Sequence, residues 1–241
     1  MLAWLADRNE ALQVAALSLA LVLYNNLVNL LPRQFHDRWY LPMNLGFLAL
    51  LLLWALVPIG IGARALGFRW PEAGWSALWG LGLGVLVVAP VFIFVAFPGL
   101  LGSYARDPRL AGLTAGEVVY RAAVRIPLGT ALFEEVAFRG ILFAMLARFG
   151  VVHAIWASSL VFGLWHIAPT WELVGASSLS ELALPVKGMV VAGGVLATFV
   201  GGLLFGLLRH YTGSFTGPVL AHACVNSLAL VAGFLWQARG G

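Results

Sequence analysis

Two adjacent carboxylates and an arginine, Glu134-Glu135-Val-Ala-Phe-Arg139, stand in an otherwise apolar stretch of this chain. An ionised side chain at the centre of a bilayer costs a contested ~2.5 kcal/mol or more, so such residues persist for a reason. On a helix, residues four apart share a face, while neighbours are turned about 100° from each other. Glu135 therefore faces Arg139, with the acid N-terminal, the favoured order for a helical ion pair. Glu134 falls on another face, with Phe138, and has no basic partner in its own helix. An unpaired, desolvated glutamate suits the work of a general base. The two acids thus divide into a structural Glu135 and a chemically available Glu134. Taken alone, the cluster is explained equally well as charge that glues helices together.

Two further pairs shift that balance. Phe162-Gly-Leu-Trp-His166 puts Phe162 and His166 on one helical face, and His222-Ala-Cys-Val-Asn226 does the same for His222 and Asn226. A single histidine in an apolar helix is usually a packing residue. Two deep histidines, one with a same-face asparagine, are harder to dismiss beside an unpaired glutamate. Glu134 lies about 16 residues before the turn at Phe149-Gly150-Val151 and His166 about 16 after it, so an antiparallel hairpin brings them to similar depth. His222 comes level only if helices tilt, or if the Glu134 helix extends past its apolar part. Two histidines and a carboxylate also resemble a zinc set, with Glu134, His166 and His222 as the ligands. Yet the chain lacks His-Glu-xx-His, and His36, His153 and His210 lie in or near loops. The expectation is a site without metal. Cys224 points away from His222 and Asn226 and reads as a small hydrophobe.

What must position these groups follows from the solvent. The chain has 241 residues, 61% hydrophobic and 10% charged, with mean hydropathy +0.93. Soluble domains carry about 25% charged residues. Seven stretches approach the ~20 apolar residues that cross a bilayer as a helix: 11–31, 41–61, 77–97, 128–147, 151–168, 186–208 and 217–236. The expected fold is all-α, a polytopic transmembrane helical bundle of seven or eight membrane helices. Residues 1–110 supply about three N-terminal spans, and 111–241 form the catalytic helical core. The eighth helix would come from 115–126, where Glu117, Arg121 and Arg125 step by four along one face. That segment reads as a helix on the interface, or one dipping into the membrane. Pro127 and Gly129 then mark a break. Asn25, Asn26 and Asn29 in the first span read as interhelical hydrogen-bonding groups, and Gly80–Gly84 and Gly202–Gly206 as close-packing sites. The net charge of +4 comes from basic residues scattered among short loops, as is normal in membrane proteins. Nucleic acid is excluded as a partner.

In order, these motifs resemble the CAAX protease and bacteriocin-processing family (CPBP, or Abi) of intramembrane endopeptidases. That family carries Glu-Glu-xxx-Arg, Phe-xxx-His and His-xxx-Asn on separate membrane helices. Glu134, Glu135, Arg139, Phe162, His166, His222 and Asn226 fill every position, and the resemblance covers roughly 118–236. It implies a glutamate-type, CAAX prenyl protease-like hydrolase. Glu134, assisted by His166, would activate water, and His222 and Asn226 would stabilise the oxyanion. Arg139 would hold Glu135, with Phe162 in support. The implied partners are a membrane-associated protein or peptide substrate and the lipid bilayer, with no cofactor favoured and zinc the alternative. Heavy Ala, Leu, Gly and Arg usage with one lysine points to a prokaryotic cell membrane. Two readings compete. An ion-coupled transporter needs polar residues along a path through several spans, and spans two, three and six hold almost none. A non-catalytic immunity or scaffold protein would show a damaged motif set, and this one is intact.

Overall fold

The computed structural model describes residues 2–96 and 110–238, and these contain helices and turns but no strand. We number the helices α1 (Leu2–Val28), α2 (Arg33–Leu56), a short α3 (Ala63–Leu66), α4 (Trp70–Ala96), α5 (115–149), α6 (Val151–Trp165), α7 (Ile167–Ala176), α8 (Leu184–Thr212) and α9 (Thr216–Ala238). Six stretches are long and apolar enough to cross a membrane: Asn9–Val28, Gln34–Leu56, Ala63–Ile93, Val151–Ala176, Leu184–Thr212 and Thr216–Ala238. Their outer faces carry large apolar side chains, with Leu50, Leu86 and Met189 at 64%, 71% and 74% exposure. Lipid tails cover such faces, and the chain is an integral membrane protein. Between helices, backbones meet at small residues: a Cβ on Gly80 would collide with the Gly217 carbonyl, and one on Gly202 would press on Ser159.

The remaining long helix, α5, is of another kind. It carries Glu117, Arg121, Arg125, Glu134, Glu135, Arg139 and Arg148, and its side chains from Phe133 to Phe143 are buried. Elements α1, α2, α6, α8 and α9 pack around it. Over 133–143 its surroundings are protein.

Two expectations are corrected by α5. Residues 115–126 are neither a separate interfacial helix nor an eighth span, and Pro127 and Gly129 do not break the chain; the segment runs straight into the Glu134 helix. The expected connection over 98–127 is thereby shortened, and its 98–109 part lies outside the described residues. The reason is hydrogen bonding from neighbours. The helix winds in wider, π-type turns over Arg121–Leu132 and Val136–Leu142. In a π turn each carbonyl accepts from five residues on, so Pro127, lacking an N–H, leaves the Ala122 carbonyl without its donor. Ser227 on α9 supplies one, its Oγ donating to that carbonyl at 2.7 Å. Asn44 on α2 donates to the Gly129 carbonyl at 2.8 Å. A proline is tolerated in a membrane helix when neighbours re-satisfy the backbone in this way.

A third correction concerns the expected span 151–168. Gly150, at φ +116, turns the chain from α5 into α6. Helix α6 then stops at Trp165; His166 leaves helical geometry (φ −94, ψ 9) before α7 continues to Ala176. The early start of α5 also settles the depth of His222. Helix α9 runs antiparallel to the first half of α5, with Ser227 level with Ala122 and Phe234 near Ala115. Its N-terminal residues are therefore level with Glu134.

Candidate active site

Glu134 and Glu135 leave α5 in different directions. Glu135 is fully buried. Its Oε1 accepts from the Arg139 guanidinium at 3.1 Å, as the four-residue spacing predicts, and from His222 Nδ1 at 2.8 Å. Arg139 also donates to the Gly202 carbonyl at 3.1 Å and lies 4.2 Å from the Phe162 ring centre. Ionic and ring contacts together hold an otherwise costly cation in the core. The hydrogen bond from His222 to Glu135 was not legible in the spacing, because it joins residues 87 positions apart.

Glu134 instead points toward both histidines. Its Oε2 lies 3.9 Å from His166 Nε2 and 4.0 Å from His222 Nε2, and this oxygen has no hydrogen-bond partner among the described residues. Both rings are oriented from behind. His166 Nδ1 is 2.8 Å from the Phe162 carbonyl, and His222 Nδ1 meets the Glu135 carboxylate. Those partners only accept, so Nδ1 carries the hydrogen in each ring and Nε2 is turned to Glu134. Phe162 packs edge-on to both imidazoles, and Phe205 stacks on His222.

A cavity of about 1110 Å³ opens onto this group. Glu134, His166 and Asn226 line it, together with Tyr40, Arg125 and Glu172, while His222 and Glu135 are not among its lining residues. Glu135 Oε2 is also without a hydrogen bond, in a fully buried side chain. Of the four residues singled out from the sequence, three therefore share one cavity, and the fourth is buried with its Nε2 4.0 Å from Glu134 Oε2.

The comparison with known families bears on this same segment. Residues 116–228 match the family model described as type II CAAX prenyl endopeptidase, Rce1-like. Over this segment the chain is similar to that endopeptidase family. No curated protein and no solved structure matches the chain. The matched segment starts with α5 and ends within α9, so it contains all seven motif residues. Helices α1 and α2 lie outside it, yet they reach the site. Tyr40 of α2 donates to or accepts from Thr130 Oγ1 at 2.7 Å and stacks under Arg125 at 4.4 Å. Asn25 and Asn26 of α1 bond to the backbone on either side of His166. Tyr40 had no sequence signal, since it belongs to no motif. The asparagines had one: amides in an apolar span, and Pro169 just after His166.

The spacing of Glu134 and the two histidines also bears on zinc. Tetrahedral bonds of about 2.0–2.1 Å place ligand atoms about 3.3–3.4 Å apart. The separations here are 3.9 and 4.0 Å, longer than that spacing. A water making hydrogen bonds of about 2.8 Å would span gaps of this length.

Proposed function

We propose that this protein is an intramembrane endopeptidase that hydrolyses peptide bonds of membrane-associated proteins or peptides by a glutamate-activated water, without a metal. The observation that carries the reading is one Glu134 oxygen, lacking a hydrogen-bond partner among the described residues, that faces two Nε2 atoms beside a cavity lined by Glu134, His166 and Asn226. A water there gives a proton to Glu134 as its oxygen attacks the substrate carbonyl carbon. His166 Nε2 accepts the water's other hydrogen and fixes its direction. Negative charge develops on the carbonyl oxygen. The Asn226 amide donates to it, and so does His222 Nε2 when the ring is an imidazolium balanced by Glu135. Glu134 then passes its proton to the leaving nitrogen, the C–N bond breaks, and both peptide fragments depart through the cavity. Burial makes each of these hydrogen bonds stronger than it would be in water.

The test is cleavage of membrane peptides by purified protein, with Glu134→Gln as the zero of activity and chelated, dialysed enzyme in parallel. Cleavage that disappears in Glu134→Gln and survives chelation supports the reading. Activity lost to the chelator and restored by near-stoichiometric zinc would move Glu134, His166 and His222 into a ligand set. Proton or ion flux in vesicles without any cleavage would favour the transporter reading.

A further inference from the structure

The break at His166 is bridged from outside the matched segment. In an uninterrupted α-helix the Leu164 carbonyl would accept from the Ala168 N–H, and the Trp165 carbonyl from the N–H of residue 169. Neither bond forms. Residue 169 is proline and has no N–H to give. The Ala168 N–H instead donates to Asn26 Oδ1 at 2.7 Å, while Asn26 Nδ2 donates to the Leu164 carbonyl at 3.2 Å. One side-chain amide is thus inserted between the two ends of a broken helical hydrogen bond. The orphaned Trp165 carbonyl accepts from Asn25 Nδ2 at 2.7 Å. Asn29 donates to Asn25 Oδ1 at 3.1 Å, which fixes which end of the Asn25 amide faces Trp165. His166 lies between the anchored Trp165 carbonyl and the anchored Ala168 N–H, and its own carbonyl starts α7 by accepting from Thr170 N and Oγ1 at 3.0 and 2.6 Å.

We infer that Asn25 and Asn26 are positioning residues for His166, an amide clamp that holds the α6–α7 break open so that Nε2 is aimed at Glu134. Lipid offers no hydrogen bonds to freed backbone groups. Without the clamp, the Leu164 carbonyl and the Ala168 N–H are free to bond each other by rewinding toward a regular helix, which turns His166 away. The catalytic geometry of the segment 116–228 therefore depends on a helix that precedes it in the chain.

The inference rests on the peptidase reading, so its test has one arm that needs no activity. Asn26→Leu removes both bridging hydrogen bonds at similar volume, along with the one from Asn26 Nδ2 to the Val22 carbonyl of its own helix; Asn25→Ala is the milder variant, and Asn26→Gln keeps the amide. The expected result for Asn26→Leu is a kcat about 10–100-fold lower, since a misplacement near 1 Å costs about that much, with KM within about twofold. Asn25→Ala should fall in the same direction by less, and Asn26→Gln should recover part of the loss. In parallel, amide hydrogen exchange read by mass spectrometry should rise in peptides covering 164–170 and stay unchanged in those covering 190–205. Unchanged kcat with unchanged exchange overturns the clamp. So does faster exchange across the whole bundle with a lowered unfolding temperature, which would make both asparagines ordinary helix glue. If the wild-type protein cleaves nothing, the peptidase reading fails, and the exchange arm still decides whether Asn25 and Asn26 hold the break.

Discussion

Helix α5 presents two sides at one height, and adjacent residues of the same type serve them. On the closed side, Glu135 is fully buried and shared by Arg139 and His222. On the open side, Glu134 faces the cavity and both Nε2 atoms with an oxygen left without a partner. A rotation of about 100° between neighbours separates the two environments. The closed side spends its charges on one another, which makes it rigid and intolerant of loss. The open side keeps a carboxylate oxygen without a hydrogen-bond partner among the described residues. The motif therefore joins a closed acid to an open one, and the first holds the His222 ring that faces the second.

The contrast breaks most visibly at Glu134. Glu134→Gln should lower kcat by about 10²–10⁴-fold, the usual contribution of a general base, and leave thermal unfolding in detergent unchanged. If Glu134→Gln unfolds the protein while Glu135→Gln merely silences it, the two sides are interchanged. Next in size is the closed side itself. Arg139→Ala leaves Glu135 in the core without its guanidinium, a loss of about 3–5 kcal/mol for a buried pair broken on one side. It should appear in denaturation in mixed micelles as well as in lost activity. Asn226→Ala sharpens the open side. Removing one oxyanion donor costs about 10²–10³-fold in kcat, and this variant should unfold at the wild-type temperature because Asn226 lines the cavity. The smallest effect lies outside both sides, where Ser227 substitutes for the donor that Pro127 lacks. Ser227→Ala should cost about 1 kcal/mol, the order of one hydrogen bond, and close to nothing in a Pro127→Ala background, where the backbone N–H returns. A full double-mutant cycle measures that coupling.

What the sequence by itself determined is what depends on composition and on near neighbours. Hydropathy specifies an all-α membrane bundle because a bilayer admits only helices and closed barrels. The spacing of Glu135 and Arg139 specifies their ion pair because both sit on one helix. The same reasoning placed Phe162 with His166 and separated Glu134 from Glu135. What the tertiary structure decided is where helices start, break and meet. Pro127 reads as a helix breaker, and the helix continues because Ser227, far along the chain, replaces the missing donor. The last residues of the expected 151–168 span read as continuous helix, and the chain breaks at His166, where Asn25 and Asn26, 140 and 138 positions earlier than Trp165 and Leu164, take the orphaned backbone groups. His222 reaches the level of Glu134 because α5 begins at Ala115, not at 128. In each case local propensity points one way and a distant hydrogen-bonding side chain reverses it. In a solvent that offers no hydrogen bonds of its own, the partner that satisfies a backbone group decides the shape, and nothing in the local pattern names that partner.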